Sequence, residues 1–317
     1  MSLSKSIGGY FALENFPLGH DFHPNSLRLN SARNALRLLI RDYSINKIYA
    51  PFYTCPVVWE AIRQEGCKLI PYEVGFDFRP QINLPSINEF FLYTNYFGVC
   101  DIQVSELFSV LGERLIVDNS QAFYSKPLSP LTFYSPRKFF GLPDGGLVYG
   151  VKTKPTEVDS SIDNSEHLLK QIEVGKEGAY GLYKRNDEVL KHKDIKLMSP
   201  LTEFLYERST TLCALSKRKK NFTFLASKLN NLNGIKIKTF SKPALCYPFY
   251  SKVKGLRDYL IKNKIFVPLY WPTAPDIGCM RSETAQDLAK HIVALPIDQR
   301  YSIAEMEIIN ELILNFV

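Results

Sequence analysis

Two residues able to do chemistry punctuate the stretch 115–150. Asp118 ends a short apolar run, Leu115-Ile116-Val117, and Lys138 follows Ser135-Pro136-Arg137, 20 residues further on. Gly145-Gly146 and another apolar run close the stretch. An acid at one strand end and a lysine after the next strand can face a single pocket. A lysine amine forms a Schiff base with a carbonyl, and a carboxylate keeps a pyridine nitrogen protonated. With donors for a phosphate added, those are the requirements of pyridoxal phosphate. Either residue alone has a plainer reading, a solvated lysine or a turn-capping acid, so the pair matters only if other elements converge on it.

The elements that must position the pair are legible upstream. Ala32, Ala35, Leu36, Leu39, Ile40 and Tyr43 recur at helical spacing, with Asn30 or Ser31 as the N-cap. A loop feeding a helix start presents unpaired N–H groups and a positive dipole end, a natural anion site. Strands are then predicted at 47–52, 69–74, 90–94 and 115–117, with helices at 56–62 and 104–111 between them. That rhythm gives an α/β fold, a three-layer large domain with a mostly parallel sheet. Functional groups belong at the strands' carboxyl ends, where Thr54, Asn95, Asp118 and Gln121 fall.

Beyond Gly150, residues 152–166 read as a polar surface excursion, and 173–186 fit neither pattern cleanly. Ser199-Pro200 looks like a cap and first turn. One long helix is predicted from there to about 229, with Phe204, Leu205, Leu212, Leu215, Phe222, Leu225 and Leu229 facing inwards. A smaller α+β C-terminal domain follows, with strands at 235–240, 244–250, 266–270 and 293–297 and helices at 255–263, 285–292 and 304–316. The expected organisation is an N-terminal arm (1–24), a large domain with the bridging helix (25–230) and a small domain (231–317). In the arm, Tyr10, Phe11, Phe16 and Phe22 are anchors, and His20 and His23 have packing or turn roles rather than metal-binding ones.

A chain of 317 residues, 45% hydrophobic, can bury a large core. No apolar run reaches membrane-spanning length, and the first residues lack a secretion signal's apolar core, so the expectation is a cytoplasmic protein with no membrane partner. Six scattered cysteines without a C-x-x-C pair point to reduced thiols, with no metal site. The net charge of +7 is mild and suits acidic small molecules; the cluster Lys217-Arg218-Lys219-Lys220 reads as a solvated helix face, with no nucleic-acid partner expected.

Taken in order, these segments resemble the DegT/DnrJ/EryC1/StrS group of aminotransferases. Asp118-Asn119-Ser120-Gln121-Ala122 is similar to its D-x-x-[HQ]-[AS] motif, and Ser135-Pro136-Arg137-Lys138 with Gly145-Gly146 to its lysine segment. Residues 30–36, NSARNAL, stand in the place of its phosphate loop. Pro51-Phe52-Tyr53-Thr54, Tyr96-Phe97-Gly98 and Leu295-Pro296-Ile297-Asp298 match three further segments. The resemblance implies fold type I of the pyridoxal-phosphate enzymes, as a homodimer with active sites at the subunit interface. Lys138 would carry the cofactor and shuttle a proton, helped by a dry pocket, and Asp118 would pair with the ring nitrogen. Gln121 would bond the ring's exocyclic oxygen or stack near it. The N–H groups of Ala32 and Arg33 and the Ser135 hydroxyl would hold the phosphate, with charge-assisted contacts from Arg33; Tyr53 and Asn95 complete the cofactor-binding set.

Two positions depart from that pattern. Phe133 stands where the group has a hydroxyl five residues before the lysine, and Cys55 replaces the aromatic that stacks on the ring. Stacking then falls to Tyr53, Tyr96 or Phe97. The implied reaction moves an amino group from glutamate to a keto-sugar linked to a nucleotide, a step of polysaccharide assembly. Rival readings are an elimination or dehydration on the same cofactor, and a non-catalytic relative that binds a polyanion or protein partner. Tyr180, Tyr183 and Arg185 are candidates to cross the dimer interface.

Overall fold

The computed structural model describes residues 13–84, 88–237, 243–272 and 282–317. The chain enters through β1 (Leu27–Leu29) and α1 (Ala32–Asp42), then β2 (Lys47–Pro51), α2 (Pro56–Gln64) and β3 (Lys68–Tyr72). Next come β4 (Phe90–Thr94), α3 (Asp101–Leu111), β5 (Leu115–Asp118), β6 (Leu131–Tyr134) and β7 (Gly146–Val148). Among the described residues these strands form one seven-stranded sheet in the order β1-β7-β6-β5-β4-β2-β3. The ladders among β2 to β6 are all parallel, and β7 runs antiparallel to both β6 and β1. The central strands LIVD and LTFY are buried throughout, as a sheet covered on both faces requires. The carboxyl ends of β2, β4, β5 and β6 therefore open on one edge.

Helices follow their predicted signals closely in this half. Ser31 is the cap of α1, its hydroxyl accepting from Asn34 N at 3.1 Å. Pro56 opens α2, where its missing N–H has no partner to lose. The ambiguous stretch 173–186 lies inside α4 (Glu166–Lys191), which is interrupted at Gly175, where φ is 75°.

The predicted long helix is two: α5 (Pro200–Glu207) and α6 (Thr211–Leu229). At the break Ser209 Oγ donates to the carbonyl of Leu205 at 3.0 Å, a side-chain bond that competes with helix propagation. The N-terminal arm passes against this break. Gly19 N donates to Glu207 O at 2.7 Å and Thr211 Oγ1 to His20 O at 2.7 Å. A Cβ on Gly19 would lie 2.0 Å from Ser209 O, so the crossing needs glycine. Just after the break Leu212, expected inside, is 58% exposed, whereas Phe222, Leu225 and Leu229 are buried as expected. Arg218, three residues after Leu215 and four before Phe222, faces inwards on that stripe, while Lys217, Lys219 and Lys220 stay in solvent as predicted. In the arm, Phe22 packs on Tyr124 at 5.1 Å, but Phe16 is exposed rather than an anchor; Tyr10 and Phe11 lie outside the described residues.

The C-terminal part pairs β8 (Tyr247–Tyr250) antiparallel with β9 (Ile292–Leu295), flanked by α7 (Leu256–Lys262), α8 (Glu283–His291) and α9 (Ile303–Phe316). Residues 266–270 form no strand, because Pro268 has no N–H to give a ladder. Of the strand expected at 235–240, residues 235–237 are irregular and 238–240 lie outside the described residues. The apolar core runs without interruption from the large sheet to Phe222, Tyr247, Leu260, Leu295 and Ile309.

Candidate active site

Asp118 is the last residue of β5, in register with Thr94 on β4 and Phe133 on β6. Its Oδ1 accepts from Ser120 N at 2.8 Å, which folds the chain sharply past the strand end. Burial pushes the carboxyl above its ordinary value, and the Lys138 ammonium pulls it part of the way back. Lys138 sits in the single 3-10 turn Pro136–Lys138 that follows β6, tied by its N–H to Ser135 O at 3.2 Å. The same two charges act on the Cys55 thiol: burial raises it, Lys138 lowers it, and Asp118 and Arg33 contribute smaller effects. Asp118, Lys138 and Cys55 thus share one electrostatic neighbourhood, assembled from three strand ends. Lys138 is exposed, so the dry pocket expected around it is not closed by the described residues.

The predicted phosphate cradle lies beside this pair. Ala32 and Arg33 form the first turn of α1, and Ser31 is bridged to Gly145 of the glycine pair. Gly145 N donates to Asn30 O at 2.9 Å, and a Cβ at Gly145 would be 3.6 Å from Pro136. A Cβ at Gly146 would lie 2.3 Å from the Ser31 carbonyl carbon and 2.4 Å from Ala32 N. The bare glycine backbone therefore lets the lysine segment and the helix start come together. Ser135 is buried. The Arg33 guanidinium turns elsewhere: Nη1 donates to Leu190 O at 2.8 Å and Nη2 lies 4.0 Å from Glu60, which leaves Nε buried and unpartnered among the described residues.

Gln121 and Tyr53 carry the clearest signs of a missing partner. Gln121 Oε1 accepts from Phe97 N at 2.8 Å, yet Nε2 is buried with no acceptor among the described residues. Tyr53 Oη is buried and equally unpartnered. Such groups are expensive to leave unsatisfied, so each marks a position where a polar ligand atom would be stabilising. The rings named for stacking are already packed on one another: Tyr53 on Tyr96 at 5.5 Å and 15°, and Tyr96 on Phe78 at 4.9 Å. Phe97, at φ 55°, packs on Tyr270 at 5.6 Å.

Asn95 has a different occupation from the one predicted. Its amide donates to Asp101 at 2.8 Å and to Asn119 at 3.0 Å, and its oxygen accepts from Cys100 N at 3.0 Å. It braces the loop that carries Gln121. Thr54 shares a hydrogen bond of 3.2 Å with Thr94. Phe133 is core, and its backbone carbonyl accepts from Asn119 N at 2.8 Å. Sequence reasoning missed Asp144, buried behind the glycine pair, where it accepts from Ser161 and Thr202 and lies 3.8 Å from Lys193. An aspartate before Gly-Gly reads as a turn residue, and nothing local betrays its partners. Among the described residues no three acidic, histidine or cysteine side chains gather as a metal site, and no helix is long and apolar enough to cross a membrane.

By sequence the chain matches no family model and no curated protein. By structure it resembles the sugar aminotransferase CalS13 of Micromonospora echinospora (TM-score 0.62, 12% identity, 92% of this chain and 87% of that one). A DegT DnrJ EryC1 StrS aminotransferase of Brucella abortus gives a TM-score of 0.60 at 12% identity, covering 92% and 85%. NtdA of Bacillus subtilis, solved with bound cofactor PMP, gives 0.65 at 12% identity, covering 92% and 73%. The shared property is the fold, over 92% of this chain in each case.

Proposed function

We propose that the protein is a pyridoxal-phosphate-dependent aminotransferase acting on a keto-sugar, with glutamate as amino donor and a nucleotide as the sugar's handle. The observation that carries this reading is the convergence of Asp118 and Lys138, with Cys55, on one neighbourhood at the strands' carboxyl ends, next to a loop in which Gln121 Nε2 is buried without a partner among the described residues. A fold shared with sugar aminotransferases supports the substrate class. The residues fit the cofactor: Lys138 would bind it covalently, Asp118 would pair with its ring nitrogen, and Gln121 would donate to a ring oxygen. The α1 start at Ala32 and Arg33, with Ser135, would take its phosphate. When bound, the cofactor supplies an electron sink for the charge left on the substrate carbon. Lys138 then holds and returns the proton at that carbon, and the buried carboxylate of Asp118 keeps the ring protonated by its charge.

The active unit in this reading is a homodimer. Leu169 and Ile172, one turn apart on α4, are both exposed, and a second copy seated there would also cover the open side of Lys138.

The test is spectroscopic. Purified protein given pyridoxal phosphate should develop a visible absorbance band that borohydride abolishes, and Lys138→Ala should develop none. Glutamate should then be converted to oxoglutarate in a half-reaction, which separates transamination from elimination. A wild type that stays colourless with added cofactor ends the proposal.

A further inference from the structure

Arg218 is 2% exposed, in the middle of α6; its hydrogen-bond acceptors are neutral, and the Asp298 carboxylate acts on its charge without a direct bond. Nε donates to Gln299 Oε1 at 2.9 Å, and Nη1 donates to the carbonyls of Ala244 and Leu245 at 3.2 and 3.0 Å. The guanidinium carbon lies 4.7 Å from the centre of the Phe139 ring. Phe139 directly follows Lys138, and its carbonyl accepts from Gln299 Nε2 at 2.6 Å. On the other side Leu245 N donates to Phe97 O at 2.8 Å, and Phe97 N is the group held by Gln121. One buried cation therefore stands at the head of two short chains. One leads through Gln299 and Phe139 to the Lys138 turn, and the other through Leu245 and Phe97 to Gln121.

Burying a guanidinium is costly, and a hydrocarbon side chain would fill α6's inner face at less expense. What only an arginine supplies is a rigid planar fork that binds several acceptors at fixed angles while stacking on a ring. The contacts it fixes are not within one element. They join α6, the residues before β8 and those after β9 to two loops at the carboxyl edge of the large sheet. Phe97 needs such fixing, because its left-handed backbone is unfavourable for an aromatic residue.

We propose that Arg218 is a positioning residue that sets the Lys138 turn and Gln121 relative to each other from the C-terminal part of the chain. This rests on the reading of Lys138 and Gln121 as cofactor-holding residues. It predicts that weakening Arg218 loosens two loops that are remote from each other in sequence.

The experiment compares wild type, Arg218→Lys, Arg218→Met and Gln299→Ala by amide hydrogen exchange without cofactor, then by pyridoxal phosphate titration and borohydride trapping at Lys138. In Arg218→Met, amides of Lys138–Leu142 and of Phe97 should exchange about tenfold faster, equivalent to about 1.4 kcal/mol, with Arg218→Lys between it and wild type. Cofactor affinity should fall by a similar factor. Acceleration confined to α6 and residues 244–245 overturns the proposal, as does wild-type cofactor affinity in both Arg218 variants. If Arg218→Met does not fold, Gln299→Ala decides: faster exchange at Phe139 and Phe140 supports the link, and unchanged exchange there refutes it. A wild type that takes up no cofactor refutes the functional reading first, and the exchange result then reports on the coupling alone.

Discussion

Gln121 and Phe97 are joined by one hydrogen bond of 2.8 Å that uses only half of the glutamine's amide. The oxygen holds a strained turn in place, and the nitrogen, equally buried, faces no acceptor among the described residues. The side chain is therefore anchored at one atom and available at the other, which is how a donor is kept ready for a ligand.

Replacing that residue separates the two roles. Gln121→Leu removes the acceptor for Phe97 N, and an unpaired buried N–H costs about 1–3 kcal/mol, partly offset by losing the orphaned Nε2. Denaturant unfolding of the cofactor-free protein measures the first effect. Saturating pyridoxal phosphate should then stabilise wild type more than the variant by about 1.4 kcal/mol, a tenfold difference in affinity. Equal stabilisation of both proteins would remove Gln121 from the cofactor site.

Asp118 should trade stability for binding. Burial raises its folded-state pKa above the unfolded value, so the folded protein holds this proton more tightly. The cost of Asp118 is therefore absent at low pH and grows as pH rises from about 3.8 through the folded value. Asp118→Asn keeps the acceptor for Ser120 N and carries no charge. Near neutral pH it should be more stable than cofactor-free wild type, the gap closing on acidification, while failing to form the cofactor's visible band. Thermal melts across pH check the sign: a variant less stable at neutral pH than at acid, relative to wild type, contradicts it.

Cys55 reports on occupancy. Its thiol is governed by burial and then by Lys138, so a group held between Lys138 and Asp118 should cover it. Maleimide labelling of Cys55 should slow by about tenfold on cofactor binding, while exposed Cys213 labels at an unchanged rate in the same sample. Mass-spectrometric mapping of both cysteines distinguishes shielding from a general loss of reactivity.

Ile172 is 82% exposed on α4, and Leu169 beside it is 65% exposed. If a second copy covers this face, Ile172→Asp buries a carboxylate there and should weaken association by about 2–4 kcal/mol. Light scattering at micromolar protein should read a monomer for the variant and a dimer for wild type. A dimeric variant would move the interface off this face.

Much of this was legible in the sequence, and the failures have physical causes. The half from Leu27 to Val148 has strong signals: buried strands as apolar runs, Ser31 as a cap, Pro56 at a helix start. Each is a local property of a few residues. The break between α5 and α6 is set by the arm packing at Gly19 and His20, about 190 residues away, so no window on the sequence contains it. Arg218 has a local explanation instead: it lies three residues after Leu215 and four before Phe222, on the apolar stripe itself, but its place in a run of four cations masks that position. Residues 266–270 have strand-like side chains, but Pro268 within them withholds the ladder bond. At the site, Asp118 and Lys138 were found by type and spacing, whereas Asn95's bracing role and Asp144 depend on partners visible only in three dimensions.

The contact of Gly146 with Ser31 makes this position a mutational choke point. Every other amino acid brings a Cβ to within 2.3 Å of main-chain atoms that neither β7 nor the α1 start can withdraw. In a saturation library screened only for soluble folded protein, position 146 should tolerate nothing but glycine, while Lys138, open to solvent, accepts nearly any residue. Selection for activity would restrict both. The two screens together would separate the residue that permits the architecture from the one that uses it.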